Sequence, residues 1–439
     1  MKTLFKRLTS AQIIALGFAG AILIGTLLLL LPFATKSGKC AGFMNAFFTA
    51  TSAMCVTGLV VQDTSTYWSG FGQAIILILI QIGGMGVVSF VTLISLLAKR
   101  RIGLLERSTL QEAISAPSIG GIVRLTGFAL LFTLIMEFLG FILLLPVFCK
   151  QFGGVGVWYS LFHSISAFCN AGFDIVGKGY SSLTAYVTNP LVNITIVCLI
   201  VVGGIGFTTV HDMYKHKFHL KAYSLQSKVI LITNAILLVL PALYFCIFEF
   251  GDLPVGERLW SSIFQSVTTR TAGFNTADLT ALSDSGLALM IFLMLVGGSP
   301  GSTAGGMKTT TLAVLIIATA SIFRRKDDAT CLGRRLSDGT VKNAIAILVL
   351  YIALFFFGGM AISGIEKLPL VTCLFETASA VGTVGLTLGI TPTLTVGSKL
   401  ILILLMYLGR VGALTLVFAA FTSRKKIPAR LPEEKLTVG

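Results

Sequence analysis

The stretch that decides the fold lies near the N-terminus and reads NAFFTATSAMCVTGL at residues 45–59. Its first part, Asn45–Met54, is moderately apolar but much shorter than the roughly 20 residues that a helix needs to cross the hydrocarbon of a bilayer. Its last part, Cys55–Leu59, contains Gly58. A short apolar segment between longer apolar stretches is typical of a re-entrant helix. The stretch therefore predicts a helix that enters the membrane and ends there in a glycine loop.

The same pattern occurs three more times along the chain. Short apolar segments at Trp158–Phe168, Leu259–Thr268 and Leu370–Ala380 are each followed by a glycine loop. These loops read CNAGF at 169–173, RTAGF at 270–274 and GTVGL at 382–386. A second echo lies in the long apolar stretch after each loop, at Gly83-Gly84, Gly203-Gly204, Gly297-Gly298 and Gly409-Arg410.

These echoes predict four pseudo-symmetric repeats of span, re-entrant helix, glycine loop and span. We expect the repeats at residues 1–98, 99–214, 215–326 and 327–422, followed by a cytosolic tail at 423–439. The unit is far longer than a solenoid repeat. Four such units around one axis would enclose a pore.

The composition assigns the chain to the membrane. Hydrophobic residues make up 55% of it and charged residues only 12%, with a mean hydropathy of +0.91. Soluble globular chains carry about 25% charged residues, so a soluble enzyme is excluded. We expect an all-α integral membrane protein with eight transmembrane helices around one pore. The windows that can span are 11–34, 71–98, 122–148, 189–211, 226–248, 285–322, 341–365 and 397–422.

The positive charge is distributed like that of a membrane protein. Lys and Arg number 33 against 18 Asp and Glu, a net charge of +15. Most of these bases lie in five segments, each before, between or after the apolar spans: 1–10, 99–124, 211–228, 321–342 and 423–439. Such a bias marks cytoplasmic loops and places both termini in the cytoplasm. Nucleic acid is therefore not expected as a partner; anionic membrane lipid or a cytosolic protein is.

The four glycine loops are candidates for an ion filter. Irregular backbone at membrane depth must be buried in protein or line a water-filled path, and rings of backbone carbonyls can replace the hydration shell of an alkali cation. Glycine allows the positive φ that such a ring requires. The alternative is that these glycines only pack helices together. The candidate filter residues are Cys55, Val56, Thr57, Gly58, Cys169, Asn170, Ala171, Gly172, Arg270, Thr271, Ala272, Gly273, Gly382, Thr383, Val384 and Gly385.

The third repeat contains a break. A continuous helix over 285–322 would be about 57 Å long, nearly twice the hydrocarbon thickness of about 30 Å. The break is expected at 297–310, around Pro300, which cannot donate a hydrogen bond. A phosphate-binding loop is not supported, because Met307 separates the glycines from Lys308. The candidate barrier beneath the filter comprises Gly297, Gly298, Ser299, Pro300, Gly301, Ser302, Thr303, Ala304, Gly305 and Gly306.

Several charged and polar residues have candidate roles beside these loops. Arg410 lies inside an apolar span, where a guanidinium normally faces a cavity or a partner, and its donors suit the free carbonyls of a broken helix. Lys308 either belongs to the barrier or reaches the cytoplasmic interface. Asp174 and Asn275 follow the second and third loops and are candidates for the outer mouth. Arg270 is expected to point behind the filter, toward an acid such as Glu376.

The quoted loops, the Gly297–Thr310 stretch and Arg410 resemble the Trk/Ktr/HKT superfamily of cation transporters over nearly the whole chain. Within it the chain is similar to the pore subunit of Ktr-type potassium uptake systems. The resemblance implies potassium uptake, an intramembrane gating loop, a homodimer with one pore per chain, and a cytosolic RCK ring as gating partner. It also implies the plasma membrane of a bacterium, no cofactor in this chain, nucleotide on the partner only, and sodium dependence as an open question.

Other functions compete with potassium uptake. A membrane-embedded enzyme would need catalytic groups, and the spans contain no paired aspartates and no histidine cluster. A secondary carrier would show broken helices in symmetry-related positions, whereas one span has a long break. Sodium or ammonium as the transported ion stays open. Gly58 favours potassium, since some plant members of the superfamily carry serine there and favour sodium.

Overall fold

The computed structural model describes residues 8–97, 103–114, 120–176, 182–217, 219–412 and 415. In the first half of the chain the helices are α1 (Ser10–Leu29), α2 (Phe43–Met54), α3 (Thr64–Tyr67), α4 (Gly70–Met85), α5 (Val87–Leu97), α6 (Leu104–Ile114), α7 (Ile122–Phe152), α8 (Val155–Phe168), α9 (Pro190–Ile205) and α10 (Phe207–His216). The tail at 423–439 and most of the predicted basic segment at 1–10 lie outside the described residues.

In the second half the helices are α11 (Leu225–Tyr244), α12 (Val255–Thr268), α13 (Asp284–Leu295), α14 (Thr309–Phe323), α15 (Asp338–Glu366), α16 (Leu370–Gly382) and α17 (Val396–Val411). A π-helical turn, Phe245–Glu249, extends α11. A small antiparallel hairpin, β1 (Thr330–Cys331) with β2 (Arg334–Arg335), connects α14 to α15. Neither this hairpin nor α6 was expected from the sequence.

The four predicted re-entrant helices are present as α2, α8, α12 and α16. Their ends agree with the predicted ends to within two residues, and their starts to within four. Each follows one of the long helices α1, α7, α11 and α15, which are long and apolar enough to cross a bilayer. The bent pair α9 and α10 qualifies as a fifth span by the same criterion. Eight crossings therefore require that each interrupted second helix count as one span.

Burial is arranged for a lipid environment. The long helices carry exposed leucines and isoleucines, such as Leu27 and Leu131, and only 22% to 33% of their apolar windows is buried. In contrast, most of α2 from Ala46 to Met54 is buried, including Thr49, Thr51 and Ser52. Small residues let helices approach closely where lipid provides no hydrophobic drive for association. The short helices therefore lie at the centre of the molecule and the long ones surround them.

All four second spans are interrupted, which corrects the expectation of continuous helices over 71–98, 189–211 and 397–422. Helix α4 ends before Gly86, α9 before Gly206 and α17 before Gly412, and these glycines have φ of +83°, +98° and +93°. The helix axis turns by 96° between α9 and α10. In the third repeat the chain leaves the helix for longer, from Val296 to Lys308, close to the predicted break.

The glycine pairs explain why these helices end where they do. A Cβ atom on Gly83 would lie 2.0 Å from the Met54 carbonyl oxygen, and one on Gly409 would lie 2.1 Å from that of Val381. Likewise, a Cβ on Gly203 would lie 2.1 Å from the Phe168 oxygen. Only glycine lets each second helix lie directly on the carboxyl end of its short helix. Close packing therefore explains the second sequence echo.

We expect Gly409→Ala to destabilise the protein by about 1–3 kcal/mol, the usual cost of overpacking a closely packed site. The added methyl group meets a backbone carbonyl that cannot rotate away. Thermal unfolding in detergent, followed by size-exclusion chromatography, measures the change. Gly20→Ala on α1 is the matched control, because a Cβ there has no neighbour within 4 Å. Equal stability of both variants would contradict the packing argument.

Candidate functional site

The four glycine loops share one backbone conformation. The second residues, Val56, Asn170, Thr271 and Thr383, have φ of 56°, 58°, 66° and 52°. The fourth residues, Gly58, Gly172, Gly273 and Gly385, have φ of 89°, 67°, 81° and 96°. The sequence signals the glycine positions, but positive φ at a β-branched residue is unusual and carries no sequence signal. The surrounding structure must hold these second residues in place.

The loops contact one another in a closed ring. A Cβ atom on Gly58 would lie 2.4 Å from the Ala171 carbonyl oxygen of the second loop. The same holds from the second loop to the third, from the third to the fourth, and from the fourth back to the first. The other three pairs are Gly172 with Ala272 at 2.6 Å, Gly273 with Val384 at 2.3 Å and Gly385 with Thr57 at 2.2 Å. We call this arrangement the glycine ring. Its glycines lie between loops, whereas the glycine pairs of the second spans pack helices.

Hydrogen bonds behind the ring direct its backbone amides away from the centre. The N–H groups of Thr57, Ala171 and Val384 each donate to a carbonyl of the preceding short helix at 2.8 Å. Their own carbonyls are left at the ring, each beside the glycine of a neighbouring loop. The Thr57 and Thr383 hydroxyls are buried and have no hydrogen-bond partner among the described residues. Oxygen atoms without donors of their own are suitable ligands for a dehydrated cation.

One end of the glycine ring opens into a cavity of about 80 Å³. Asp63, Asp174 and Asn275 line it together with the four ring glycines. The Asn275 side-chain oxygen accepts from Gln265 at 2.7 Å and from the Ala277 N–H at 3.1 Å. Asp174 and Asn275 therefore border the mouth as expected, while the Asn275 oxygen is already engaged within the protein.

The other end of the ring is covered by the unwound segment between α13 and α14, which we call the intramembrane loop (Gly297–Gly306). A Cβ on Gly305 would lie 2.1 Å from the Thr383 hydroxyl, and one on Gly306 would lie 2.9 Å from the Gly382 carbonyl. The Thr303 hydroxyl donates to the Phe168 carbonyl at 3.0 Å. The loop thus lies directly against the ring.

Arg410 connects this loop to the first repeat. Its guanidinium donates to the carbonyls of Thr303 and Gly83, and to that of Gly84 at 3.2 Å. Lys308 donates to the Ala304 carbonyl at 2.8 Å. Both side chains line a cavity of about 310 Å³ on the far side of the loop from the ring. The carbonyls that bind Arg410 are ones that helix breaks set free.

Arg270 does not pair with Glu376, and that prediction is wrong. Arg270 is buried behind the ring as expected, but it donates to the Asn234 side-chain oxygen at 2.5 Å and to the Gly297 carbonyl at 3.1 Å. Glu376 accepts hydrogen bonds from the Thr387 and Thr391 hydroxyls instead. The unwound segment leaves the Gly297 carbonyl without a helical donor, and the guanidinium supplies one.

The sequence reading missed two polar partners in the spans. Asn234 lies in the apolar span of α11, where a lone amide is a signal that could have been used. Gln81 in α4 donates to Glu137 at 3.2 Å, and Cys169 of the second loop lies 3.8 Å from the same carboxyl group. A polar residue inside an apolar span is costly unless it is hydrogen-bonded. Such residues therefore mark the internal contacts of the ring.

Arg270→Ala should destabilise the protein by about 1–3 kcal/mol for each buried acceptor left without a donor. Arg270→Lys should recover only part of this, because an ammonium group cannot reach both acceptors in the fork geometry of a guanidinium. Thermal unfolding in detergent measures both changes. Arg334→Ala, in the exposed hairpin, is the control. An alanine variant as stable as this control would contradict the bonding described.

The structure defines a helical multi-pass membrane protein with a central ring of backbone carbonyls and a loop across one end. Residues 9–427 match the family model described as cation transport protein, and the chain belongs to this family of cation transporters. The sequence resemblance is therefore confirmed, and the membrane-enzyme hypothesis is wrong.

The chain is similar to curated proteins over its full length. It is 40% identical to the potassium/sodium uptake protein NtpJ of Enterococcus hirae, covering 100% of this chain and 99% of that one. It is 38% identical to the Ktr system potassium uptake protein B of Bacillus subtilis, covering 99% and 97%. The solved structure of the potassium transporter TrkH from Vibrio parahaemolyticus matches with a TM-score of 0.75 at 18% identity, covering 93% of this chain and 84% of that one. This structural match shows a shared fold.

Proposed function

We propose that this protein takes up potassium ions through the glycine ring. The observation that carries the proposal is the closed cycle of four loops, in which each fourth-residue glycine lies against the carbonyl of the next loop. Such a cycle presents oxygen ligands and no amide donors, which suits a cation without its hydration shell. The names of the relatives from Enterococcus hirae and Bacillus subtilis both include potassium uptake.

The filter consists of the first four residues of each loop, with the carbonyls as potassium ligands. Helices α2, α8, α12 and α16 end at the ring, so the negative ends of their dipoles favour a cation there. The acid Asp174 raises the cation concentration at the outer mouth, with Asn275 beside it. Gly58 in the first loop favours potassium over sodium, because the ring has no space for a side chain at that position.

The intramembrane loop is the gate of the same path. It lies against the inner end of the ring, and Arg410 and Lys308 hold it there by bonds to its carbonyls. Two positive charges next to a cation path oppose cation passage. Moving the loop away would remove both the steric barrier and its electrostatic support.

The chain acts as one component of a larger system in a bacterial cell membrane. The relatives from Bacillus subtilis are named as parts of a Ktr system, which supports a regulatory partner. We propose a homodimer with one pore per chain, a cytosolic RCK ring that binds nucleotide, and cytoplasmic termini. The four repeats at the predicted boundaries are the structural basis of the pore.

Rubidium uptake into proteoliposomes tests this function directly. The purified chain should take up rubidium under an inward gradient, potassium should compete, and sodium should compete much less. Parallel measurements with and without sodium decide whether sodium is coupled or itself transported, as the name of the Enterococcus hirae relative suggests. Liposomes without protein are the control. Equal competition by sodium or ammonium would overturn potassium selectivity, and no uptake above the control would overturn the proposal.

A further inference from the structure

The intramembrane loop replaces a helical hydrogen bond at the break between α9 and α10. In an uninterrupted helix the N–H of Phe207 would donate to the carbonyl of Gly203. Here the Phe207 N–H donates to the Gly301 carbonyl of the loop at 2.8 Å. The Gly203 carbonyl accepts from the Thr303 N–H at 3.2 Å and from the Thr303 hydroxyl at 2.9 Å. Both halves of the missing bond are therefore supplied by the loop.

The bend itself is shaped around the loop. Gly206, at the break, has φ of +98°, and a Cβ on it would lie 2.5 Å from the Pro300 carbonyl of the loop. The next free carbonyl, that of Gly204, accepts from the Ser299 N–H at 3.0 Å. We call Gly203–Phe207 the elbow. The loop and the elbow fit one another over several consecutive residues.

Thr303 is the residue at which the loop, the elbow and the ring meet. Its side chain is fully buried. Its hydroxyl lies 2.9 Å from the Gly203 carbonyl of the elbow and 3.0 Å from the Phe168 carbonyl at the end of α8. The Asn170 side-chain oxygen of the second loop is 3.4 Å away. Its own backbone carbonyl accepts from Arg410. No other hydroxyl of the intramembrane loop that the structure describes bonds to the end of a re-entrant helix.

We propose that Thr303 is a positioning residue that latches the intramembrane loop across the inner end of the ring, with the elbow as its dock. The inference rests on the proposed role of the loop as a gate. When the loop leaves, the Gly203 carbonyl and the Phe207 N–H become free together, and each is the natural helical partner of the other. Pairing them straightens the elbow and leaves no backbone group unbonded in the membrane. Docked loop with bent elbow, and released loop with straight elbow, are two alternative pairings of the same groups.

Three variants of the purified chain test the latch in proteoliposomes. Thr303→Val keeps the shape and the N–H but removes the hydroxyl, and should raise rubidium uptake without a partner by about three- to tenfold, as expected for one lost hydrogen bond. Thr303→Ser keeps the hydroxyl and should restore uptake to within about twofold of the original chain. Thr26→Val is the matched control, since that buried hydroxyl bonds only to Ile22 of its own helix at 2.8 Å.

Gly206→Ala provides a second route if Thr303→Val does not fold. Alanine disfavours the bent elbow at positive φ and meets the Pro300 carbonyl, so uptake should again rise while potassium selectivity is kept. Unchanged or lower uptake by well-folded Thr303→Val, or a serine variant that behaves like valine, overturns the latch. The latch alone fails if deletion of Ser302–Gly306 raises uptake but these substitutions do not. If that deletion does not raise uptake, the proposed gate fails as well.

Discussion

Gly58→Ser is expected to lower the potassium over sodium selectivity of uptake by about tenfold or more, a change of about 1.4 kcal/mol in relative ion binding. The serine Cβ would lie 2.4 Å from the Ala171 carbonyl and 3.2 Å from Gly172. The second loop must therefore move, and its carbonyls no longer match the size of potassium. Competition of sodium against rubidium uptake in proteoliposomes measures the change.

The control for Gly58→Ser separates ring geometry from backbone strain. Gly38 also has positive φ, at +69°, but a Cβ there meets nothing within 4 Å. Gly38→Ser therefore introduces the same kind of backbone strain in open space and should leave selectivity unchanged. If Gly58→Ser inserts normally and keeps both sodium exclusion and rubidium affinity, Gly58 is not a filter residue.

Deletion of Ser302–Gly306 should raise cation flux at least tenfold and leave selectivity largely unchanged. The deleted residues contact the inner end of the ring but supply none of its carbonyls. Arg410→Ala should raise flux in the same direction by a smaller factor, because it removes the bonds to Thr303, Gly83 and Gly84 while the loop remains. Rubidium uptake, recorded with and without an RCK partner, measures both effects.

Arg335→Ala is the control for the charge change at Arg410, since Arg335 forms an exposed pair with Asp328 in the hairpin. Its flux and its response to the partner should match those of the original chain. A correctly inserted deletion variant without flux, or one as dependent on the partner as before, would mean that the loop is structural and the gate lies elsewhere.

The sequence by itself determined the features that depend on segment length and local composition. Helices α2, α8, α12 and α16 were predicted because each short apolar segment cannot span the hydrocarbon. The break of the third repeat followed from a span that is too long to be continuous and from the glycines around Pro300. Repetition strengthened both predictions, since one glycine loop is ambiguous and four in matching positions are not. Each of these signals is contained in a stretch of neighbouring residues.

Only the tertiary structure decided which groups meet. Arg270 was expected to find a carboxylate at Glu376, but it bonds to Asn234 and to the Gly297 carbonyl. The breaks at Gly86 and Gly206 were not foreseen, because a single glycine in an apolar span is compatible with a continuous helix. The physical reason is that a helix break frees backbone carbonyls whose positions depend on the packing of distant segments. Buried donors then bond to whichever free carbonyl the fold brings within reach, and that choice is not written in any one stretch of sequence.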